Sequence, residues 1–254
     1  MEIGIIGVGH VGGSMIDLFP DAFLYDKYKN LGTQEEINQC NISFICVPTP
    51  QAEDGHCDTS IVEEVLKWVE TPIIVIRSTV PVGFTDAWSI YSNKHIVFQP
   101  EYYGETVAHP FADPHNRNWI TLGGQIKDCE VVANLYKKVF TSELFINIVD
   151  AKVAELAKYM ENAFYATKVT FCNQFYELAE KMEVSYDQLR ETWLLDPRIS
   201  RDHTFVYPDN RGYGGSCLPK DMAAIIYQGI RYNTNMEFLQ SVKEANDYFK
   251  TRSR

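Results

Sequence analysis

One cysteine in this sequence has surroundings that favour nucleophilic chemistry. Cys217 follows a glycine pair in the segment Gly212-Tyr213-Gly214-Gly215-Ser216-Cys217-Leu218-Pro219-Lys220-Asp221. Pro219 suits the first turn of a helix, which would place Cys217 near a helix N-terminus with Lys220 close by. The helix dipole and a neighbouring ammonium both favour thiolate over thiol. Cys217 is therefore predicted to be a reactive thiol rather than a buried apolar side chain.

The other five cysteines carry no such signal. They are scattered through the chain and form no CxxC pair or other metal-ligand spacing, so no metal site is predicted. Cys57 lies in a polar loop, where its presence is predicted to be incidental. Four are predicted to be small buried apolar side chains: Cys40, Cys46, Cys129 and Cys172.

A glycine-rich segment near the N-terminus predicts a dinucleotide site. Gly7-Val8-Gly9-His10-Val11-Gly12 follows an apolar run and precedes a helical pattern. Gly7 allows the tight turn, Gly9 lets a pyrophosphate approach the backbone, and Gly12 lets the helix pack on the strand. Asp26, at the end of the next apolar run, would hydrogen-bond the ribose hydroxyls and repel the extra phosphate of NADP. The alternative is a purely structural glycine turn. The predicted cofactor is NAD, held by Gly7, Gly9, His10, Val11, Gly12 and Asp26.

Three further segments follow apolar runs and combine prolines with hydroxyl or carboxylate side chains. They are Cys46-Val47-Pro48-Thr49-Pro50, Arg77-Ser78-Thr79-Val80-Pro81-Val82-Gly83 and Gln99-Pro100-Glu101-Tyr102-Tyr103-Gly104-Glu105. Ligands of open α/β sheets bind beyond the carboxyl ends of the strands, where these segments are expected. Each segment taken singly is equally an ordinary loop, but their common position in the fold favours a functional site.

A long helical pattern carries two polar side chains that could act together. Lys158 and Asn162 are four residues apart and therefore share a helix face. A lysine and an asparagine so placed could both reach one oxygen atom. From the residues alone, the alternative is a solvated helix face.

The elements that would position these residues change character near residue 149. Before it, short apolar runs alternate with helical patterns, which predicts a parallel sheet built from βαβ units. The predicted strands are Ile3–Ile6, Ala22–Tyr25, Ser43–Val47, Ile73–Ile76, Ile96–Phe98, Asn118–Leu122 and Leu144–Val149. The predicted helices lie near Val11–Phe19, Ser60–Val69, Val82–Tyr91 and Cys129–Val139. After it, a single helix is predicted from Ala151 to about Met182, since no Gly or Pro occurs between Gly124 and Pro197. We predict a Rossmann-type α/β domain over 1–149 and an all-α helical domain over 150–254. So long a helix exceeds what the remaining chain can cover, which favours a homodimer packed through it.

Composition narrows the class of protein. The chain has 254 residues, of which 45% are hydrophobic and 22% charged, as in ordinary globular proteins. The net charge of −11 makes nucleic acids and anionic membranes poor partners. No apolar stretch reaches the ~20 residues of a membrane span, and the N-terminus lacks the profile of a signal peptide. A cytoplasmic protein with reduced thiols is predicted.

Taken together, these segments resemble the UDP-glucose/GDP-mannose dehydrogenase family from Met1 to about Asn246. The most specific match is GYGGSCLPKD around Cys217, and the second is the stretch Ala154–Phe164 of the long helix. CVPTP, STVPVG and the Pro100-Glu101 pair also match. The resemblance implies a Rossmann domain followed by a helical dimerisation domain. It also implies oxidation of a sugar-nucleotide C6 alcohol to a carboxylate, with reduction of two NAD.

The resemblance assigns catalytic roles to individual residues. Cys217 would attack the aldehyde-level intermediate and pass through a thiohemiacetal to a thioester, which water hydrolyses. Lys158 and Asn162 match the residues that stabilise the oxyanion or an ordered water. Asp221 matches a carboxylate that helps with proton transfer. Glu101 matches the glutamate implicated in thioester hydrolysis.

Further residues are implied to bind the two ligands. Thr79 matches the polar partner of the glutamate beside the cofactor, and Arg198 an arginine that reaches the partner subunit's substrate. Tyr207 lies in a stretch that aligns with the loop along the sugar phosphates. The implied cofactor contacts beyond the glycine segment are Pro48, Thr49, Thr79 and Lys220. The implied substrate contacts are Glu101, Lys158, Asn162, Arg198, Tyr207 and Gly214.

The sequence departs from the family pattern in two ways. The family's third, C-terminal nucleotide-binding domain has no counterpart here, so we expect a short form. The family also usually carries a basic residue a few positions after the glutamate, where this chain has Tyr102-Tyr103-Gly104-Glu105.

Three functions remain open from the sequence. An active nucleotide-sugar 6-dehydrogenase is favoured because Cys217, Lys158, Asn162 and Asp221 occur together. The alternative is a truncated, non-catalytic NAD-binding module or a subunit that depends on a partner. A hydroxy-acid dehydrogenase with a similar layout is a third reading, but those enzymes use a lysine and no cysteine nucleophile.

Overall fold

Short apolar segments form a seven-stranded sheet in the computed structural model, which describes residues 1–102, 113–140 and 143–253. All residues of the first, third and fourth strands are buried, as expected where helices cover both faces of a sheet. The strands are β1 (Ile3–Ile6), β2 (Phe23–Tyr25), β3 (Ile42–Ile45), β4 (Ile73–Ile76), β5 (Ile96–Phe98), β6 (Trp119–Gly123) and β7 (Phe145–Val149).

The strand order places the predicted loops along one edge of the sheet. The order is β2-β1-β3-β4-β5-β6-β7, and the pairs among β1 to β5 are all parallel. The chain crosses in opposite directions from β1 to β2 and from β2 to β3, so a switch point lies between β1 and β3. Ligands of open α/β sheets bind at the carboxyl ends of the strands beside such a switch point.

One strand pair departs from the predicted parallel sheet. β5 and β6 are antiparallel, with Phe98 opposite Gly123. A parallel connection needs a crossover, usually a helix. Within the described residues, the connection from β5 to β6 contains only the 3₁₀ turn Pro114–Asn116. The sheet is therefore mostly parallel, with an antiparallel pair at β5 and β6.

The helices of the first half follow the predicted pattern with one addition. The predicted ones are α1 (His10–Leu18), α3 (Ser60–Trp68), α4 (Phe84–Ser92) and α5 (Ile126–Val139). The helix α2 (Gln34–Asn38) was not predicted because it is short. Its start is marked by a capping box, in which the Glu36 N–H donates to Thr33 Oγ1 (3.2 Å) and the Thr33 N–H donates to Glu36 Oε2 (2.8 Å).

The second half is helical. Its elements are α6 (Ala151–Lys181), α7 (Tyr186–Trp193), α8 (Leu218–Arg231) and α9 (Glu237–Lys250). The predicted long helix is confirmed as α6, which has 31 residues. In the described part of the chain, no helix combines the length and apolar character that a membrane crossing requires.

The chain divides into two compact units. The first unit comprises Met1–Pro50 and Cys57–Lys158, and the second unit comprises Gln51–His56 and Tyr159–Arg254. Because the division falls within α6, the domain boundary at residue 149 stays a prediction. The core of the first unit lies on both faces of the sheet. The core of the second unit is formed by α6 with α8 and α9, and by α6 with Tyr186 of α7.

A buried carboxylate of α6 caps the N-terminus of α4. Glu155 is fully buried and accepts hydrogen bonds from the N–H groups of Gly83 (2.6 Å) and Thr85 (2.9 Å). Burial raises the pKa of Glu155, even though these hydrogen bonds favour the ionised form. The N–H groups that a helix leaves without partners at its start are thus bound by a side chain distant in sequence.

This cap predicts a stability effect for Glu155→Ala. The substitution leaves two N–H groups at the α4 N-terminus without an acceptor, so the free energy of unfolding should fall by about 1–3 kcal/mol. Urea denaturation followed by circular dichroism measures the change. The matched control is Glu130→Ala, at an exposed position of α5, which should change stability by less than about 0.5 kcal/mol. Equal losses in the two variants would contradict the proposed cap.

Candidate active site

The residues predicted to form the site fall into two sets, one in each compact unit. The first unit holds the glycine-rich segment, Asp26, Pro48, Thr49, Thr79, Glu101 and Lys158. The second unit holds Asn162, Arg198, Tyr207, Gly214, Cys217, Lys220 and Asp221. Tyr103, Gly104 and Glu105 of the third predicted loop lie outside the described residues.

The glycine-rich segment joins β1 to α1 at the carboxyl end of β1. Gly7 has a φ of 87°, and a Cβ there would lie 2.8 Å from the carbonyl oxygen of Cys46. A Cβ on Gly12 would lie 1.9 Å from the Gly7 carbonyl oxygen, so no side chain fits between helix and strand. A Cβ on Gly9 would meet nothing within 4 Å, and no side chain caps α1. This open space at the α1 N-terminus fits a pyrophosphate.

Asp26 lies beside this segment, directly after β2. Its carboxylate accepts hydrogen bonds from the N–H groups of Val8 (2.9 Å), Tyr28 (3.0 Å) and Lys29 (3.0 Å). Burial alone would raise the pKa of Asp26, but these hydrogen bonds outweigh it and hold the pKa below its usual value. The side chain therefore offers an ionised acceptor next to the pyrophosphate position, as a ribose hydroxyl requires.

A pocket at the same place fits the adenosine half of NAD. Gly7, Asp26 and Pro48 line it, together with the apolar side chains of Val47 and Trp68. An aromatic and aliphatic wall suits the adenine ring, while the carboxylate suits the sugar.

The loops after β3 and β4 bury the predicted cofactor contacts to different extents. Thr49 is buried, Pro48 is exposed and Thr79 is half-buried. Cys57, predicted to be incidental in a polar loop, is buried and donates its Sγ–H to the carbonyl of Thr79 (3.4 Å). Cys57 therefore supports the loop that carries Thr79.

Glu101 is part of a buried polar network that the residue spacing does not predict. Nη2 of Arg77 forms an ion pair with Glu101, and Nη1 donates to the hydroxyl of Tyr136 (3.2 Å). The Tyr136 hydroxyl donates in turn to Oε1 of Gln99 (2.8 Å). Removing one partner of such a buried pair typically costs about 3–5 kcal/mol, because the other charge loses its counterpart. The available signal was an arginine directly after the buried strand β4.

Lys158 lies over an aromatic ring. It is buried, and its Nζ lies 5.0 Å from the centre of the Tyr102 ring. The guanidinium carbon of Arg117 lies 5.2 Å from the same ring and 5.1 Å from that of Trp119. Ring faces stabilise cations that lose water on burial. Tyr102, one of the residues at which this chain departs from the family pattern, therefore helps hold the predicted catalytic lysine.

Cys217 immediately precedes α8, as predicted. Helix α8 begins at Leu218, with Cys217 at the N-cap position and Pro219 in the first turn. All six cysteines are free thiols; Cys217 is exposed and the other five are buried. The Ser216 hydroxyl oxygen lies 3.5 Å from the sulfur. The thiol is therefore accessible at the positive end of a helix dipole.

The segment before Cys217 is fixed by α6 and α9. Asn246 accepts a hydrogen bond from the Tyr213 N–H (2.6 Å) and donates one to the Tyr213 carbonyl (3.2 Å). Arg211 donates to Asn173 through Nε (2.6 Å). A Cβ on Gly212, whose φ is 77°, would lie 2.5 Å from Oδ1 of Asn246. These contacts join segments far apart in sequence, so residue spacing gave no sign of them.

Asp221 binds two other predicted site residues. Asn162 donates to its Oδ2 (2.5 Å), and Lys220 donates to its Oδ1 (2.5 Å). Asp221 itself is 1% exposed. A carboxylate held by an amide and an ammonium, one helical turn after the nucleophile, is suited to proton transfer next to a reacting sulfur.

The remaining predicted residues of the second unit lie at the surface in local contacts. Arg198 has an 86% exposed side chain and pairs with Asp196 (2.5 Å). Tyr207 accepts a hydrogen bond from the Asn210 N–H through its carbonyl (3.1 Å). A Cβ on Gly214 would meet nothing within 4 Å. Across residues 1–102, 113–140 and 143–253, no three His, Cys, Asp or Glu side chains are grouped to hold a metal ion.

Sequence profiles of one family match both parts of the chain. The profile described as "UDP-glucose/GDP-mannose dehydrogenase family, NAD binding domain" matches residues 25–141. The profile of the same family's central domain matches residues 152–248. The first unit therefore contains an NAD-binding domain, in agreement with the cofactor predicted from Asp26 and the glycine segment.

Individual relatives extend this likeness. UDP-glucose 6-dehydrogenase YwqF of Bacillus subtilis (strain 168) is 30% identical over 228 residues, which are 84% of this chain and 50% of that protein. The chain spans about half the length, or less, of the curated relatives that it matches.

Solved structures share the fold. A UDP-glucose dehydrogenase from Pyrobaculum islandicum has a TM-score of 0.81 at 24% identity, covering 97% of this chain and 68% of that chain. A UDP-D-ManNAc dehydrogenase from Pyrococcus horikoshii has a TM-score of 0.83 at 20% identity, covering 98% of this chain and 69% of that chain. The predicted α/β sheet followed by helices, one of them long, is confirmed.

The burial of the cysteines predicts how the folded protein reacts with thiol reagents. With Ellman's reagent at pH 8, one thiol per chain should react rapidly, and Cys217→Ser should abolish this reaction. Burial raises the pKa of Cys46 and of Cys129 to about 12, so only about 10⁻⁴ of either is thiolate at that pH. The control is Cys40→Ser, which should keep the rapid phase. A rapid phase that survives in Cys217→Ser would contradict the assignment.

Proposed function

The chain belongs to the UDP-glucose/GDP-mannose dehydrogenase family, and on this premise we propose that it oxidises the C6 alcohol of a nucleotide sugar to a carboxylate. The observation that carries the proposal is the exposed Cys217 at the N-terminus of α8, followed by Asp221 with its partners Asn162 and Lys220. A protein that only bound NAD would have no use for this arrangement.

The proposed reaction has two oxidations and a covalent intermediate on Cys217. NAD, held by Asp26 and the glycine segment, would supply the hydride acceptor for both oxidations. Cys217 adds its sulfur to the aldehyde carbon, and the carbonyl oxygen takes up a proton to give a thiohemiacetal. Oxidation of this adduct gives a thioester. Water then forms the new C–O bond, the C–S bond breaks, and the thiol of Cys217 is restored.

The other residues would stabilise charge and move protons. Lys158 and Asn162 would bind the oxygen that becomes negatively charged when sulfur or water adds. Asp221 would exchange protons with groups beside Cys217, and Glu101 would accept a proton from the attacking water. Asp26 and the glycine segment would hold NAD, with Pro48, Thr49, Thr79 and Lys220 as further contacts. Arg198, Tyr207 and Gly214 would contact the substrate.

UDP-glucose is the substrate proposed first. Several curated relatives of about 30% identity are named UDP-glucose 6-dehydrogenases. Solved structures with the same fold include a UDP-D-ManNAc dehydrogenase and a GDP-mannose dehydrogenase, so these two sugar nucleotides come next. The proposed location is the cytoplasm, which fits six free thiols.

The proposed assembly is a homodimer formed through α6. Within the second unit, α6 exposes large apolar side chains at helical spacing: Met160, Phe164, Phe171, Phe175 and Leu178. Contiguous exposed apolar surface of this kind favours protein contacts. A second copy of the chain offers the same stripe, so a two-fold pairing buries both at once.

The proposed reaction predicts the yield of NADH and its dependence on Cys217. Wild-type protein given UDP-glucose, GDP-mannose or UDP-ManNAc should form two NADH per sugar oxidised, measured by absorbance. Cys217→Ser should lower the rate of acid formation by roughly 10⁴-fold or more, because the thioester cannot form. Cys40→Ser is the control and should keep full turnover. NAD binding without NADH formation on any sugar nucleotide would favour a non-catalytic module or a partner-dependent subunit.

The proposed dimer predicts a change of mass in solution. Phe164→Glu places a charge in the apolar stripe of α6 and should convert a dimer into a monomer, measured by light scattering after size-exclusion chromatography. Phe238→Glu is the control, because Phe238 is similarly exposed but lies on α9. A monomeric wild-type protein, or a dimeric Phe164→Glu variant, would refute pairing through this stripe.

A further inference from the structure

The hydrogen-bonded chain Gln99–Tyr136–Arg77–Glu101 runs through the interior of the first unit and ends at a carboxylate. The side chain of Arg77 is 1% exposed, whereas that of Glu101 is 11% exposed. The arginine is thus enclosed, and the carboxylate lies at the outer end of the network. This difference in exposure is expected when a buried cation holds a carboxylate that must stay accessible.

Three members of this network, Arg77, Gln99 and Tyr136, are each tied to a different element. The Arg77 N–H donates to the carbonyl of Ile45 (2.9 Å), which ties the residue to the end of β3. The Gln99 N–H donates to the carbonyl of Ile76 (2.9 Å) at the end of β4. Tyr136 belongs to α5 and is fully buried, with its ring centre 5.7 Å from that of Phe19. None of these groups can turn without disturbing the core.

The two terminal nitrogens of the Arg77 guanidinium have separate partners. Nη2 binds Oε2 of Glu101, while Nη1 faces the Tyr136 hydroxyl and the sulfur of Met15, each at 3.2 Å. A planar guanidinium held on one side by a tyrosine fixes the direction of the bond on its other side. A buried ion pair is by itself weak evidence for stability, since apolar side chains of similar volume often serve as well. The network is better explained by what it does to Glu101.

We propose that Arg77, held by Tyr136, is a positioning residue that orients the carboxylate of Glu101 for hydrolysis of the thioester. This inference rests on the proposed function and adds to it the groups that set this one step. In the step, the water oxygen bonds to the thioester carbon and its proton passes to Glu101. The C–S bond breaks, and the sulfur leaves as the thiolate of Cys217.

The test compares Arg77→Lys and Tyr136→Phe with the wild-type protein during turnover. Arg77→Lys keeps the charge and loses the planar fork, and Tyr136→Phe keeps the ring and loses the hydroxyl. We expect kcat to fall by about tenfold or more in Arg77→Lys and by less in Tyr136→Phe. The ratio kcat/KM for the sugar nucleotide should stay within about twofold, because slower breakdown of a covalent intermediate lowers kcat and KM together. Intact mass after acid quench should show the thioester accumulating on Cys217 in both variants.

A matched control removes a comparable hydroxyl elsewhere. Tyr186 is also buried, and its hydroxyl donates to the carbonyl of Thr204 (2.8 Å) in the second unit. Tyr186→Phe should show no accumulation of thioester, although it loses a similar hydrogen bond. If Tyr186→Phe accumulates thioester as Tyr136→Phe does, the effect is a general loss of stability and the proposal is wrong.

A double variant shows whether Arg77 acts through Glu101. In a Glu101→Gln background, Arg77→Lys should slow hydrolysis no further, because the group that it orients is already absent. If Glu101→Gln and Arg77→Lys slow hydrolysis by independent factors that multiply, the proposal is wrong. It is also wrong if Arg77→Lys and Tyr136→Phe both hydrolyse the thioester at the wild-type rate. Tyr136→Phe decides the matter alone if Arg77→Lys does not fold. If the wild-type protein forms no NADH with any sugar nucleotide, the proposed function itself is wrong. If the wild-type protein turns over fully and the variants hydrolyse the thioester as fast as it does, only this inference is wrong.

Discussion

The parallel pairing of β1, β3, β4 and β5 is the constraint on which the first unit depends. Buried strands must bond to one another through their backbones, because no water reaches them. Parallel pairing then directs all four carboxyl ends to one edge, where the glycine segment, the Pro48–Thr49 loop, Arg77 and Gln99 all begin. Residues that are 22 to 39 positions apart in sequence become neighbours for this reason, as the ends of the paired strands imply.

Buried cations in this protein are held by ring faces as well as by carboxylates. Lys158 and Arg117 both lie against the Tyr102 ring. In the second unit, the guanidinium carbon of Arg211 lies 4.6 Å from the centre of the Tyr176 ring and 5.3 Å from that of Phe249. Aromatic residues, which make up 13% of the chain, thus contribute to stabilising these buried charges.

Features that depend on local spacing were predictable from the sequence. The bounds of β1, β4 and β5, the turn at Gly7 and the start of α8 beside Cys217 all follow from patterns within a few residues. Features that depend on distant contacts were not. The Arg77–Tyr136 contact joins residues 59 positions apart, and no local sequence pattern near either residue predicts it. The antiparallel pairing of β6 with β5 was not predicted because it depends on how the connection between the two strands runs. The five-residue α2 was not predicted because it is too short for a periodic signal.

The six residues Gln51–His56 leave the first unit and pack in the second, where a Cβ on Gly55 would lie 3.8 Å from Ala223. The polypeptide therefore passes between the units three times, before Gln51, after His56 and after Lys158. Neither unit is an uninterrupted stretch of the gene. A recombination event with a single breakpoint cannot exchange one intact unit for its counterpart in a relative. Inheritance of the two units is consequently linked, and laboratory chimaeras of this chain need at least three junctions to keep both intact.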